Sequence, residues 1–138
     1  MFGSSKRESF IREAVSLFKE NTLVGLDINQ ICTNLNNNQI PSNMELLSMR
    51  LSELKIRTDN LNPPSQKYSM IPVKISILIM MNSSCLKILS EAIKLKQADN
   101  KIEYNQKIAD FMKKTGKASS KENELAQLFG ELKNKGKW

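Results

Sequence analysis

The sequence predicts an all-α protein, a compact bundle of about six helices around one long central apolar helix at about residues 70–97. Three observations predict it. Five residue pairs have the spacing of a helix-starting capping box: Ser5–Glu8, Asp27–Gln30, Ser42–Glu45, Asn100–Glu103 and Ser119–Glu122. Each precedes an apolar pattern of helical period. Only five Gly and four Pro occur in 138 residues, too few for the turns of an all-β chain. Finally, the oily run "MIPVKISILIMM", Met70 to Met81, passes directly into "LKILSEAIKLK", which is helical in pattern.

Helix one is expected at about 6–20, with Phe10, Ile11, Ala14, Val15 and Phe18 on one face. Helix two, about 28–35, is short and carries Ile28, Ile31, Cys32 and Leu35. After the loop "NNNQIP", helix three, about 43–58, repeats Met44, Leu47, Leu51 and Leu54 at heptad spacing. Two heptads fall short of a coiled coil, so these residues should pack within a bundle. "NLNPPSQKYS", residues 60–69, is the one clear breaker, because paired prolines cannot continue a helix. The chain is expected to form one domain, 1–138, with that segment as a candidate hinge between an N-terminal helical half and a basic C-terminal half.

The run at 70–81 is ambiguous taken alone. Val73, Ile75, Ile77 and Ile79 alternate as in a strand. No second strand with hairpin chemistry is present, however, so a strand here would have no partner. Pro72 is tolerated in a first helical turn with Ser69 as its cap. Residues 70–97 are therefore expected as one helix, apolar nearly all round in its first half, and such a helix must be surrounded. Any part its neighbours leave open becomes a self-association surface, with Ile75, Ile77, Ile79, Met80 and Met81 as candidates and a homodimer as the expected form. Helices five, about 101–115, and six, about 120–135, complete the set, with Gly116 placed as a C-terminal cap and Gly136 following helix six.

Chemistry is sparse. Without a histidine, His-based acid–base catalysis, Ser–His and Cys–His arrangements and His-containing zinc sites are all excluded. No Gly-rich phosphate loop occurs. Cys32 and Cys85 have neither metal spacing nor a disulfide framework, and are expected as buried free thiols. A non-enzymatic protein with no cofactor, no metal and no small-molecule substrate is expected. The N-terminus lacks an apolar signal region and the run at 70–81 is short for a bilayer, so cytosol or nucleus is the expected location, without membrane association.

Charge carries more information. The net charge is +7; residues 1–70 hold eight basic and seven acidic groups, residues 71–138 thirteen and seven. That asymmetry points to an acidic partner, RNA or duplex backbone first, an acidic protein second. "KKTGKASSK", residues 113–121, offers Lys113, Lys114, Lys117 and Lys121 on what should be an exposed loop joining two helices. Arg50, Lys55 and Arg57 of helix three form a second candidate set. Lysines are point charges suited to phosphates rather than bases, so weak sequence specificity is expected.

Two alternatives stand beside this reading. The Met- and Ile-rich surface could dock a partner protein, making the chain an adaptor. Helices two and three also have the flavour of a DNA-binding helix-turn-helix, although six residues separate them where the motif uses three or four. The terminal Trp138 could anchor into a partner's groove or fold back on its own surface. Compactness without enzyme signatures would suit a small viral or phage accessory factor.

Overall fold

Two of the expected helix breaks do not form. In the computed structural model, which describes residues 2–39 and 41–134, there are four α-helices: α1 (Phe2–Asn36), α2 (Met44–Asp59), α3 (Met70–Gln97) and α4 (Lys101–Asn134). One turn of 3-10 helix, Gln66–Tyr68, precedes α3, and no strand occurs among the described residues. The all-helical class holds; the count of six does not. Helices one and two are a single α1, and helices five and six are a single α4.

The first fusion runs through "ENTLVGLD", which spans the gap expected between helices one and two. Its polar residues are occupied by tertiary and local contacts. Asn21 is buried and accepts from the Asn82 side chain of α3, while the Thr22 hydroxyl donates to the Phe18 carbonyl one turn back. Asp27, expected to cap a new helix, pairs with Arg50 of α2 at 3.5 Å. Gly25 lies against Asn82 of α3, where an added Cβ would sit 3.3 Å from Asn82 Oδ1. The second fusion passes through Gly116, expected as a cap but set in mid-helix facing open space. Buried Phe111, Ala118, Leu125 and Leu132 recur every seven residues across it, so the packing register is unbroken.

Capping follows the same division. At α4 the Glu103 amide donates to Asn100 Oδ1 at 3.3 Å, as the capping box requires. Ser5–Glu8, Asp27–Gln30 and Ser119–Glu122 fall inside helices. α2 is entered at Asn43, one residue beyond Ser42, with no side-chain cap bond. Ser69 does occupy the entry to α3, but its hydroxyl turns back to the Gln66 carbonyl. Gly136 and Trp138 lie outside the described residues.

Cross-helix contacts fix the directions. Phe10 meets the Tyr68 ring, Asn21 meets Asn82, and Leu35 meets Lys96, so α1 and α3 run parallel. Lys114 reaches Ser84 and Lys107 reaches Glu91, so α4 returns antiparallel to α3. α2 is antiparallel to α1, because Arg57 pairs with Glu13 and Glu20 while Arg50 pairs with Asp27. α3 is the helix against which all three others pack, as its apolar character required. One apolar cluster draws on all four helices, including Leu17, Ile28, Leu47, Ile75, Leu89 and Leu125. The breaker at 60–69 ends α2 and contributes Tyr68 to that cluster.

The glycines give a direct test of this packing. Gly116→Ala and Gly130→Ala, each in a helix interior with nothing within 4 Å of the added carbon, should raise stability by about 0.5–1 kcal/mol. Gly25→Ala gains the same helix propensity yet should show no net gain, because Asn82 is held by two hydrogen bonds and cannot yield. Denaturant unfolding of the three variants reads the difference. A gain at Gly25 equal to that at Gly116 would mean Asn82 is free to move.

Candidate nucleic-acid interface

The lysine stretch expected as a loop is helix. Lys113, Lys117 and Lys121 stand at i, i+4 and i+8 on α4, which at helical pitch is one exposed ridge about 12 Å long. Lys114 lies beside them, half-buried, and donates to Ser84 Oγ at 2.8 Å. No ion pair among the described residues engages Lys113, Lys117 or Lys121. A solvated loop would have spread these charges over many conformations; a helix fixes their spacing.

The second set is placed quite differently. Arg57 bridges Glu20 at 2.6 Å and Glu13 at 3.0 Å, Arg50 pairs with Asp27, and Lys55 pairs with Asp59 at 2.7 Å within α2. Glu13, Glu20 and Asp27 are spaced by seven along α1, and Arg50 and Arg57 by seven along α2. This ladder fastens α2 to α1, and its two carboxylates hold the Arg57 guanidinium further towards its charged form. Arg50, Lys55 and Arg57 are thus each paired with an acid of the same chain. The antiparallel ladder also sets α1 and α2 side by side, unlike the steep crossing of a helix-turn-helix.

The apolar candidates divide by face. Ile75 and Ile79 are in the core; Met81 is half-buried; Ile77 and Met80 point outward. A helix separates residues that a strand would align. The open face of α3 is therefore Met70, Val73, Ile77 and Met80, at i, i+3, i+7 and i+10 and between 40% and 60% exposed. Met70 and Val73 were missed in the sequence because they were counted as part of an all-round apolar helix. The heptad spacing of the four was the signal available.

This stripe lies beside the lysine ridge. Lys74, Ile77, Lys121, Glu124 and Leu125 line one crevice between α3 and α4. Ser84, which continues the stripe by one more turn, is reached by Lys114. The α4 lysines thus run antiparallel along one flank of the α3 stripe. Elsewhere on that helix pair Lys107 and Glu91 form a 2.7 Å bridge, which draws the Glu91 carboxyl below its usual range.

Between α1 and α4 a cavity of about 170 Å³ is lined by Thr22, Leu26, Thr115, Ser119 and Glu122 over a floor of Asn82 and Cys85. Burial pushes the Glu122 carboxyl up, and the Cys32 and Cys85 thiols likewise, which works against a thiolate nucleophile. No cluster of three metal-binding side chains occurs among the described residues. By length and composition Gln66–Gln97 would suffice to cross a membrane, but here its inner face is packed against α1, α2 and α4. Comparison with family models, with curated proteins and with solved structures finds no match.

Proposed function

We propose that this chain is a non-enzymatic, self-associating helical protein that binds nucleic-acid backbone through the α4 lysine ridge. One observation carries the reading: Lys113, Lys117 and Lys121 are exposed, regularly spaced and in no ion pair among the described residues, whereas Arg50 and Arg57 of α2 are matched by acids of α1 and Lys55 by Asp59. Unpaired lysines on a rigid ridge suit phosphates, which carry charge but no sequence information. The α3 stripe supports the self-association half, since four adjacent exposed apolar side chains on a core helix favour a cover. In this reading α3 serves as the core helix of a protein held in the cytosol or nucleus.

Anisotropy titration of a generic RNA and a generic duplex across a salt series tests it. Three phosphate contacts per protomer give a log–log salt slope of about −2 on single strands and nearer −3 on duplex. The triple variant Lys113→Ala, Lys117→Ala, Lys121→Ala should flatten that slope and remove most of the affinity. Arg50→Ala and Arg57→Ala should leave the slope unchanged, because those groups are spent inside the fold. Absence of binding at low salt would dispose of the nucleic-acid reading and leave the adaptor.

A further inference from the structure

The α3 stripe has a counterpart elsewhere on the same chain. α2 turns Leu47, Leu51, Leu54 and Thr58 inward, and on its opposite side Leu46, Met49 and Ile56 stand 57–63% exposed. With Glu53 they occupy i, i+3, i+7 and i+10, the spacing of Met70, Val73, Ile77 and Met80. Both stripes extend over about 15 Å, three helical turns. Their borders are opposite in charge. Glu45 and Glu53 are exposed on the α2 face with no ion pair among the described residues, while Arg50 and Arg57 are turned to α1 and Lys55 is tied to Asp59. The α3 stripe is flanked by Lys74 and Lys121, which outnumber the one acid of the same crevice, Glu124.

These two faces cannot meet within one protomer, because α2 is already packed against α1 and α3 by its other side. We infer that the occupant of the α3 stripe is a second copy of this chain, which presents its α2 outer face, Leu46, Met49, Glu53 and Ile56, against Met70, Val73, Ile77 and Met80. The contact follows the helix-in-groove pattern of apolar anchors at i, i+3 and i+7, with carboxylates set against lysines. Donor and acceptor are different patches, and two copies joined through one such contact are arranged head-to-tail, the pair leaving one of each patch open. Such an interface gives rings if the rotation closes and filaments if it does not. Lys113 and Lys117, further from the crevice that holds Ile77, are then repeated along the assembly, a multivalent arrangement for a polyanion.

The inference rests on the self-association half of the proposed function and does not require nucleic-acid binding, although Lys121 borders both surfaces. Two variants of the full chain are needed, Met49→Ser/Ile56→Ser and Ile77→Ser/Met80→Ser, with unfolding curves to show that both are folded. Size-exclusion with light scattering should give a wild-type mass above the 15.7 kDa of one chain, rising with concentration, and each variant alone should form monomer. Mixed, the two should form a one-to-one dimer and nothing larger, since each retains the patch the other lacks. Loss of assembly in the α3 variant alone would mean a symmetric α3–α3 dimer; the head-to-tail arrangement would fall and self-association would stand. A monomeric wild type at its highest soluble concentration would overturn both. So would co-flotation of the monomer with anionic vesicles that the Ile77→Ser/Met80→Ser variant lacks, which would make a lipid surface the occupant.

Discussion

Ile75→Ala should destabilise the protein by about 2–5 kcal/mol, and Ile77→Ala, two residues away, by less than about 1 kcal/mol. Ile75 is fully buried in the cluster shared by all four helices, so truncation removes apolar contacts and leaves a cavity its neighbours cannot fill. Ile77 is 40% exposed at the edge of the α3–α4 crevice, where water occupies the space a shortened side chain leaves. Guanidinium unfolding followed at 222 nm measures both. The contrast is diagnostic because a strand would set Ile75, Ile77 and Ile79 on one face, making the two costs alike. Equal losses would overturn the helical assignment of this run. Ile79→Ala, one turn beyond Ile75 and equally enclosed, should behave as Ile75→Ala does.

The fold class was legible because helix-start chemistry and apolar period agree almost everywhere. α2 and α3 fall within a residue or so of the expected 43–58 and 70–97 because each is bounded by real punctuation: Asn and Pro before α2, paired Pro before α3, "ADN" after it. α1 and α4 were split because the capping spacings Asp27–Gln30 and Ser119–Glu122, with Gly116, resemble boundaries, and local signals were given more weight than register. The register was nevertheless written in the chain. Phe10, Leu17, Val24 and Ile31 are spaced by seven straight through Gly25, as are Phe111, Ala118, Leu125 and Leu132 through Gly116. A glycine costs an isolated helix about 1 kcal/mol, less than the core contacts either helix would lose by ending there.

The candidate surface was legible only in part, for a different reason. Charge in a sequence has sign but no partner. Arg50 and Arg57 resemble the α4 lysines until the seven-residue spacing of Glu13, Glu20 and Asp27 is set against them, and that pairing needs the antiparallel approach of α2 to α1. Likewise the oily run announced an uncovered face without saying which one. Which residues of an all-apolar helix stay exposed depends on where its neighbours stop. α2 and α4 leave open the Met70–Met80 side and cover the Ile71–Ile79 side.

Asn82→Leu should cost about 2–3 kcal/mol, and adding Asn21→Leu should recover most of it. Asn82 Nδ2 donates to Asn21 Oδ1 at 2.9 Å and to the Asn21 carbonyl at 3.0 Å, between α1 and α3 and away from water. A single replacement keeps the volume but strands the buried Asn21 amide without its partner, and that desolvation is the cost. In the double variant no orphan remains and two leucines meet. A coupling energy near zero in this cycle would show that the two amides do not depend on each other. Recovery of stability should not restore uniqueness. α1 carries buried residues at every seventh position on two tracks, and α3 does the same through Ile75, Asn82 and Leu89. Two such surfaces can pack after a slip of one heptad, about 10 Å, with apolar groups still opposed. Asn21 opposite Asn82 forbids the slip, since shifting either would bury an amide against leucine or isoleucine; a lone core asparagine sets register in coiled coils by the same means. The double variant should therefore unfold at near wild-type denaturant while its amide NMR spectrum shows more than one set of peaks for α1. A single sharp set would mean that the Arg57 ladder and the connecting loops hold the register unaided.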